Sequence, residues 1–171
     1  MTSLATPTQP AGTGLWTFYG SVTISAPAKD IWDALVDFQS YSKWNFYTPT
    51  IDTPNPPEVP QPGHIIHLHY RPESTGSTMK VPCEILEVES SKYRIVWRGK
   101  AFNLPLWVLS PEKVQTITEL VDGKCKFEIW ETQSGLLAFY TKYGMGKKLS
   151  QMNQGIAEGL KGYVEGKRRG E

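Results

Sequence analysis

The fold is decided first by residues 16–35, which have the sequence WTFYGSVTISAPAKDIWDAL. In the first half, apolar and polar residues alternate with the period of a strand that has one buried face. The apolar positions are Trp16, Phe18, Val22 and Ile24. Pro27 then suits the first turn of a helix, and apolar residues at helical spacing follow it. The stretch therefore predicts a half-buried strand that leads directly into a short amphipathic helix.

The segments beyond this helix have the character of an antiparallel sheet. A second short helix is predicted over residues 39–44, and five strands follow at about 64–71, 79–89, 92–99, 113–121 and 124–133. No long crossover separates these strands, so we expect them to pair as a meander. Asp122-Gly123 is a two-residue hairpin signal between the last two strands.

The C-terminal part of the chain has the period of a helix. Its apolar residues recur every three or four positions, at Met145, Leu149, Met152, Ile156, Leu160 and Tyr163. This spacing predicts an amphipathic helix of roughly 20 residues. Gly155, Gly159 and Gly162 lower the helix propensity. We expect these glycines either to bring the helix close to the sheet or to leave room for a ligand.

Composition sets the domain organisation and excludes several classes of partner. Residues 1–13 are mostly small and polar and predict a disordered tail, residues 14–166 predict a single globular domain, and residues 167–171 form a basic C-terminal end. The net charge is only +1, which gives no electrostatic attraction to nucleic acid or to a membrane. No secretory signal or membrane-spanning run is present, so we expect a cytoplasmic protein.

Cysteine and histidine are too few and too poorly spaced for a metal site. Cys83 and Cys125 lie in strand segments and are expected to be buried free thiols. His67 and His69 share one face of a predicted strand, opposite Ile66, Leu68 and Tyr70. Since the apolar face should be interior, the two histidines should face solvent, and a strand pair alone lacks the further ligands that zinc needs. We expect no metal and no cofactor.

Several short motifs follow one another in a fixed order along these elements. They are Asp37, Tyr41-Ser42-Lys43-Trp44-Asn45, Glu87-Val88-Glu89 before Ile95-Val96-Trp97-Arg98-Gly99, and Glu131 before Ser134-Gly135-Leu136-Leu137. Together they resemble the SRPBCC group of the START-related, birch-pollen-allergen-like superfamily, and within it the polyketide cyclase/dehydrase-like branch. The resemblance covers about residues 15–165.

This resemblance implies an α+β helix-grip fold. A curved antiparallel sheet of about six to seven strands would wrap around the long C-terminal helix, with two short helices after the first strand. The gap between sheet and helix is usually an apolar cavity, so the expected partner is a hydrophobic small molecule, bound by a monomer or homodimer. The proline-rich segment 49–62 would lie near the entrance as a gate or a mere connector, and the apolar segment 100–112 would fold over the sheet or the cavity mouth.

Three polar residues are candidates for catalysis. Glu131 shares a strand face with Phe127 and Ile129, so it should lie at the wet end of the cavity, where weak solvation favours a carboxyl group that exchanges protons. Lys113, on the neighbouring strand, would pair with Glu131 or stabilise an enolate if it faces inward. Tyr47 is a hydroxyl donor. The alternative for Glu131 is a structural ion pair at the sheet rim, and the alternative for Lys113 is solvent exposure.

The expected ligand-binding residues come from the same faces and from the short helices. They are Trp44, Asn45, Ile66, Leu68, Tyr70, Cys83, Trp97, Gln115, Phe127, Ile129, Gln133, Met152 and Ile156. Trp44 and Asn45 also have a structural alternative, in which Trp44 fills the junction of helix and sheet and Asn45 bonds local backbone. Members of the resembling family often carry His and Phe where this chain has Lys113 and Gln115, which points to a more polar ligand or to a surface contact.

Three functions are compatible with these observations. The first is a cofactor-independent cyclase, dehydratase or isomerase that acts on a polyketide-like or terpenoid-like intermediate. The second is a non-catalytic carrier or sensor of a hydrophobic ligand. The third is a protein-interaction module of the chaperone-regulator type, which predicts a filled interior and a broad exposed patch.

Overall fold

A seven-stranded antiparallel sheet forms the frame of the protein. The computed structural model describes residues 3–53, 60–71, 78–100 and 104–169. The strands are β1 (Trp16–Ile24), β2 (Thr50–Asp52), β3 (Ile65–Tyr70), β4 (Met79–Glu89), β5 (Arg94–Gly99), β6 (Ser110–Glu119) and β7 (Cys125–Ser134). Their order is β1-β7-β6-β5-β4-β3-β2, so the predicted meander is completed by the first strand, which pairs with the last.

Two short helices and one long helix accompany the sheet. These are α1 (Ala28–Val36), a 3₁₀ helix (Phe38–Lys43) and α2 (Ala138–Arg169). The predicted helix-grip fold is confirmed. However, α2 has 32 residues instead of roughly 20. Its first turns were not predicted because their large apolar side chains are exposed and do not continue the buried repeat.

One turn and one edge strand differ in detail from the sequence prediction. The β6–β7 connection contains Asp122 and Gly123 as predicted, and both have positive φ angles, of 65° and 70°. It also includes Val121 in a short 3₁₀ turn. Strand β2 lies inside the segment 49–62 that was predicted as a loop, but it has only three residues and occupies the sheet edge. Residues 54–59 of that segment lie outside the described residues, so the gate stays a prediction.

Helix α2 approaches the sheet most closely at Gly20 of β1. A Cβ atom on Gly20 would lie 2.6 Å from the backbone C of Asn153 and from the backbone N of Gln154. Asn153 is fully buried, and its Nδ2 donates to the Phe18 carbonyl oxygen at 2.9 Å. The helix can therefore lie directly on the β1 backbone because that strand carries a glycine where the two cross.

The glycines of α2 face the segment after the 3₁₀ helix. A Cβ atom on Gly159 would lie 2.2 Å from the Trp44 carbonyl oxygen, and one on Gly155 would lie 2.6 Å from Tyr47 Cε2. Among the described residues, and apart from the neighbouring backbone of the helix itself, no atom lies within 4 Å of the corresponding position at Gly162. Gly155 and Gly159 therefore allow a close approach, as one of the two alternatives anticipated, but the neighbour is the 44–47 segment and not the sheet.

Replacing two of these glycines by alanine should change stability in opposite directions. Gly159→Ala should lower the free energy of unfolding by about 2 kcal/mol, because the new methyl group overlaps the Trp44 carbonyl. Gly162→Ala, three residues away, should raise it by about 0.8 kcal/mol through helix propensity alone. Urea denaturation of both variants measures the difference. Equal effects of the two substitutions would contradict the packing described for Gly159.

The N-terminal segment lies on the outer face of the sheet, around the buried side chain of Glu112. Thr6 donates to Glu112 Oε2 at 2.6 Å, and the Thr8 hydroxyl also donates to this carboxylate. Arg98 donates to Oε1 from Nε at 3.0 Å and from Nη2 at 2.9 Å. Glu112 is 0% exposed as a result.

The structure thus differs from the predicted disordered tail for residues 3–13. Two further hydrogen bonds hold the segment. Trp130 Nε1 donates to the Ala5 carbonyl oxygen at 3.1 Å, and the Thr132 hydroxyl donates to the Leu4 carbonyl oxygen at 2.9 Å. The prediction considered only how much apolar surface the segment could bury. The segment is instead ordered by polar groups that the sheet presents, which its own composition does not reveal.

Hydrogen bonding lowers the pKa of Glu112. Burial alone would raise this pKa, but the bonds from Thr6, Thr8 and Arg98 outweigh burial and hold it below the usual value. The stabilisation is therefore complete above the unfolded-state pKa of about 4.5. It is lost as the pH falls through the lower pKa of the folded state.

Glu112→Gln should lower the free energy of unfolding at pH 7 by about 3 kcal/mol, because the buried Arg98 loses its counter-charge. The variant should also lose less stability than wild type between pH 5 and pH 3. Urea denaturation across this range is the measurement, and Glu119→Gln at the exposed end of β6 is the control. A Glu112→Gln variant as stable as the control would show that the outer-face network contributes little.

Candidate functional site

A cavity of about 180 Å³ lies between the inner face of the sheet and α2. Its lining is mainly apolar, from Leu68, Val81, Cys83, Trp97, Gly99, Leu109, Pro111, Leu149 and Met152. The polar lining residues are Thr48, Tyr70, Lys113, Glu131 and Gln133. A cavity of about 150 Å³ is enough to hold one benzene ring, so this space fits one ring or a short chain of a ligand.

Lys113 and Glu131 form an ion pair on the cavity wall. They are direct cross-strand partners on β6 and β7, which brings their side chains together on the inner face. Lys113 Nζ lies 3.3 Å from Glu131 Oε2, and the two side chains are 11% and 14% exposed. The pairing predicted for an inward-facing Lys113 is therefore present.

Gln133 holds the second oxygen of the Glu131 carboxylate. Its Nε2 donates to Glu131 Oε1 at 2.6 Å, and its own Oε1 accepts from the Thr141 hydroxyl at the start of α2. Gln133 follows Glu131 by two positions and so lies on the same strand face. A line of polar groups from α2 to Lys113 thus fixes the carboxylate within an otherwise apolar wall.

Cys83 contributes a neutral thiol to this wall. Burial raises the pKa of Cys83 to about 12, with the negative charge of Glu131 acting in the same direction and Lys113 acting against it. The thiol therefore stays protonated at neutral pH, so Cys83 is suited to line a cavity and poorly suited to act as a nucleophile.

A narrow extension of about 10 Å³ shares Thr48, Leu68, Trp97 and Lys113 with the main cavity. Its other lining residues are Tyr41, Asn45, Gln115, Ile129 and Ile156. Gln115 is 2% exposed, and within the described part of the chain its Nε2 has no hydrogen-bond partner. The extension therefore presents a donor that an oxygen atom could satisfy.

Four predicted site residues lie away from both spaces. Tyr47 packs against Phe46 and Gly155, and Trp44 packs against Tyr41 with ring centroids 4.4 Å apart and planes tilted by 55°. Ile66 and Phe127 are in the core, at 1% and 0% exposure. Asn45 lines the narrow extension, and its Oδ1 accepts from the Thr48 backbone N–H at 2.9 Å. The local-backbone bond given as the alternative for Asn45 is therefore present, although the residue also borders the extension.

Several lining residues were absent from the prediction. They are Tyr41, Thr48, Val81, Gly99, Leu109, Pro111 and Leu149. Val81 lies two residues before Cys83 and therefore on the same face of β4, and Leu149 belongs to the apolar repeat of α2. The sequence pattern could therefore have predicted both residues. Leu109 and Pro111 were missed because β6 begins at Ser110, three residues earlier than predicted.

None of the three histidines lines the cavity or its extension. His69 Nε2 lies 2.9 Å from Asp52 Oδ2, on the face opposite the cavity. Within residues 3–53, 60–71, 78–100 and 104–169, no group of three or more His, Cys, Asp or Glu side chains is placed to hold a metal ion. In the same ranges no helix is both long enough and apolar enough to cross a membrane.

The sequence profile of a known family matches most of this chain. The family is described as "Polyketide cyclase / dehydrase and lipid transport", and the match covers residues 16–165. The chain belongs to this family. A relative from Penicillium oxalicum, named "Oxopyrrolidines biosynthesis cluster protein O", is 28% identical over 190 residues, covering 96% of this chain and 94% of the relative.

Solved structures share the fold of this polyketide cyclase/dehydrase family member. A hypothetical protein from Helicobacter pylori is 16% identical and superposes with a TM-score of 0.74, covering 96% of this chain and 99% of the other. The ZhuI aromatase/cyclase from Streptomyces sp. R1128 is 15% identical with a TM-score of 0.62, covering 91% and 96%. The resemblance inferred from the ordered motifs is confirmed.

The raised pKa of Cys83 predicts slow alkylation in the folded protein. In a Cys125→Ser background at pH 8, iodoacetamide should modify Cys83 about 1000-fold more slowly than in the urea-unfolded chain, since the pKa is raised from 9.0 to about 12. Mass spectrometry gives both rates. A cysteine placed at the exposed Ser91, with Cys83→Ser and Cys125→Ser, is the control and should react at similar rates in both states. Fast native labelling of Cys83 would contradict its assigned environment.

Proposed function

We propose that this protein is a cofactor-independent enzyme of secondary metabolism, which catalyses a cyclisation or dehydration of a small carbonyl-containing intermediate. The observation that carries the proposal is the Lys113–Glu131 ion pair on the wall of an otherwise apolar cavity. Partly buried charges are costly to keep in such a wall. Acid–base chemistry on a bound carbonyl compound gives this arrangement a use.

The names of similar proteins support the same reaction class. The relative from Penicillium oxalicum is named for a cluster that makes oxopyrrolidines, and ZhuI is an aromatase/cyclase. The volume of about 180 Å³ suits a single small ring better than a polycyclic product. We therefore favour ring closure at one end of a substrate whose remainder extends toward the cavity mouth.

The two charged groups can share the steps of such a reaction. The Glu131 carboxylate takes a proton from the carbon between two carbonyl groups, and Lys113 stabilises the negative charge that develops on the adjacent oxygen. The resulting carbon nucleophile attacks a further carbonyl group of the same substrate, and Glu131 returns the proton to the alkoxide formed there, which becomes a hydroxyl group. Glu131 then takes the second proton of the same carbon and gives it to this hydroxyl group, which leaves as water. The cavity holds the chain in the folded conformation that this attack requires.

In this proposal, Gln115 orients the substrate. Its amide nitrogen faces the narrow extension without a partner among the described residues, next to Lys113. A substrate carbonyl or hydroxyl oxygen placed there accepts the missing hydrogen bond. The predominantly apolar lining also fits a carrier that releases its ligand unchanged, and the experiment below separates carrier from enzyme.

A linear N-acetoacetyl α-amino aldehyde is a direct probe. Its active methylene carbon can attack the aldehyde to close a five-membered lactam ring, and dehydration then gives a pyrrolinone. The wild-type protein should accelerate ring formation over buffer, and Glu131→Gln should lower this rate roughly 100-fold because the proton acceptor is lost. Chromatography with mass detection follows the product.

Matched variants and a binding measurement complete the test. Glu128→Gln, on the same strand but at a position of opposite parity, should keep the wild-type rate. Circular dichroism confirms that each variant is folded. Native mass spectrometry reports whether the probe binds. Binding without turnover would favour the carrier, and an unchanged rate in Glu131→Gln would remove that residue from the mechanism.

A further inference from the structure

Large apolar side chains are exposed where the loop after residue 103 meets the start of α2. Trp107, Tyr140 and Tyr143 are 68%, 71% and 79% exposed. With Leu106, Leu136, Leu137 and Phe139, at 40% to 67%, they form what we call the apolar patch. The two segments are joined because Leu136 and Leu137 N–H groups donate to the carbonyl oxygens of Trp107 and Val108, at 3.3 Å and 2.9 Å.

The patch follows one face of the helix and continues into basic residues. Phe139 and Tyr140 each lie three or four positions from Leu136 and from Tyr143, and Lys147 follows Tyr143 by four. Lys147 and Lys148 are exposed, and Lys142 Nζ lies 5.0 Å from the centroid of the Tyr143 ring. No acidic residue occurs between Glu131 and Glu158, so this region carries only positive charge. The overall charge of +1 conceals this local excess.

The remainder of α2 does not share this character. Beyond residue 150, the exposed positions include Gln151, Glu158 and Lys167, which is the ordinary polar face of an amphipathic helix. Within the described part of α2, the exposed large apolar residues are therefore confined to the first turns, up to Met145. A contiguous patch of this kind on a soluble domain usually marks an interaction surface.

The patch also lies at the cavity end of the sheet. The loop that exposes Leu106 and Trp107 continues to Leu109, which lines the cavity, and α2 contributes Leu149 to the same lining. Tyr70 and Gly99 of the lining are the last residues of β3 and β5. The same end of the sheet thus carries both the apolar surface and the cavity.

We propose that the apolar patch docks this end of the protein onto an anionic lipid bilayer, from which an apolar ligand enters or leaves the cavity. Tryptophan, tyrosine and leucine side chains suit the interface between headgroups and acyl chains. Lys147 and Lys148 are placed to contact anionic headgroups. A second copy of the chain fits less well, because two-fold pairing of the patch brings lysines together without an acidic residue in the segment 132–157 to oppose them.

Vesicle co-sedimentation tests the proposal with the full chain. Wild type should bind vesicles of phosphatidylcholine mixed with phosphatidylserine more tightly than phosphatidylcholine alone, and added salt should weaken this binding. The triple variant Trp107→Ser, Tyr140→Ser, Tyr143→Ser should bind at least about 10-fold more weakly. The double variant Lys147→Gln, Lys148→Gln should lose about 25-fold, or about 5-fold for each lysine.

Matched controls come from the opposite end of the sheet. Val121→Ser and Lys124→Gln alter an exposed apolar residue and an exposed lysine in the β6–β7 connection, and both should bind vesicles like wild type. Circular dichroism establishes that all variants are folded. No wild-type binding to the mixed vesicles, or equal loss in patch and control variants, would overturn the proposal.

Analytical ultracentrifugation separates the bilayer from a second copy of the chain. Wild type and the triple variant should sediment with the same mass. A wild-type dimer that the triple variant converts to a monomer, without vesicle binding, would assign the patch to self-association and overturn the proposal. Ring closure of the soluble probe requires no vesicles, so the docking proposal and the proposed enzymatic function can fail independently.

Discussion

The contact between α2 and the β1 backbone at Gly20 is the constraint on which the rest of the structure depends. A side chain at this position would overlap the backbone of Asn153 and Gln154 and force the helix away from the sheet. The helix is fixed against β1 at Gly20 and against Trp44 at Gly159. These two contacts limit the space between α2 and the sheet. The cavity is the part of the sheet's inner face that α2, held at these points, leaves uncovered.

Side chains alternate between the two faces of a strand, so the sheet places two ion pairs on opposite faces. Arg98 and Glu112 meet on the outer face, where the N-terminal segment buries them, and Lys113 and Glu131 meet one residue further along on the inner face. The outer pair has enough hydrogen bonds to be structural. The inner pair borders a cavity and has fewer, so it retains the capacity to interact with a ligand. Burial and bonding, not residue type, therefore distinguish their roles.

Charge and apolar surface are unevenly distributed despite a near-neutral composition. The start of α2 exposes aromatic rings followed by lysines, and the same helix then lines the cavity with Leu149 and Met152. One helix thus joins the outside of the protein to its interior. The description of the family includes lipid transport. A surface that continues into the cavity suits the proposed enzyme if its substrate is poorly soluble in water.

The sequence by itself determined the order and type of the elements, because periods of two and of three to four residues depend only on local spacing. It also placed Glu131 on an inner face, from Phe127 and Ile129 beside it. Only the tertiary structure decided that Tyr47 packs against Gly155 and does not line the cavity, and that Thr6 binds a carboxylate 106 residues away. Such contacts depend on strand register and helix placement, which join distant parts of the chain and leave no periodic signal in either one.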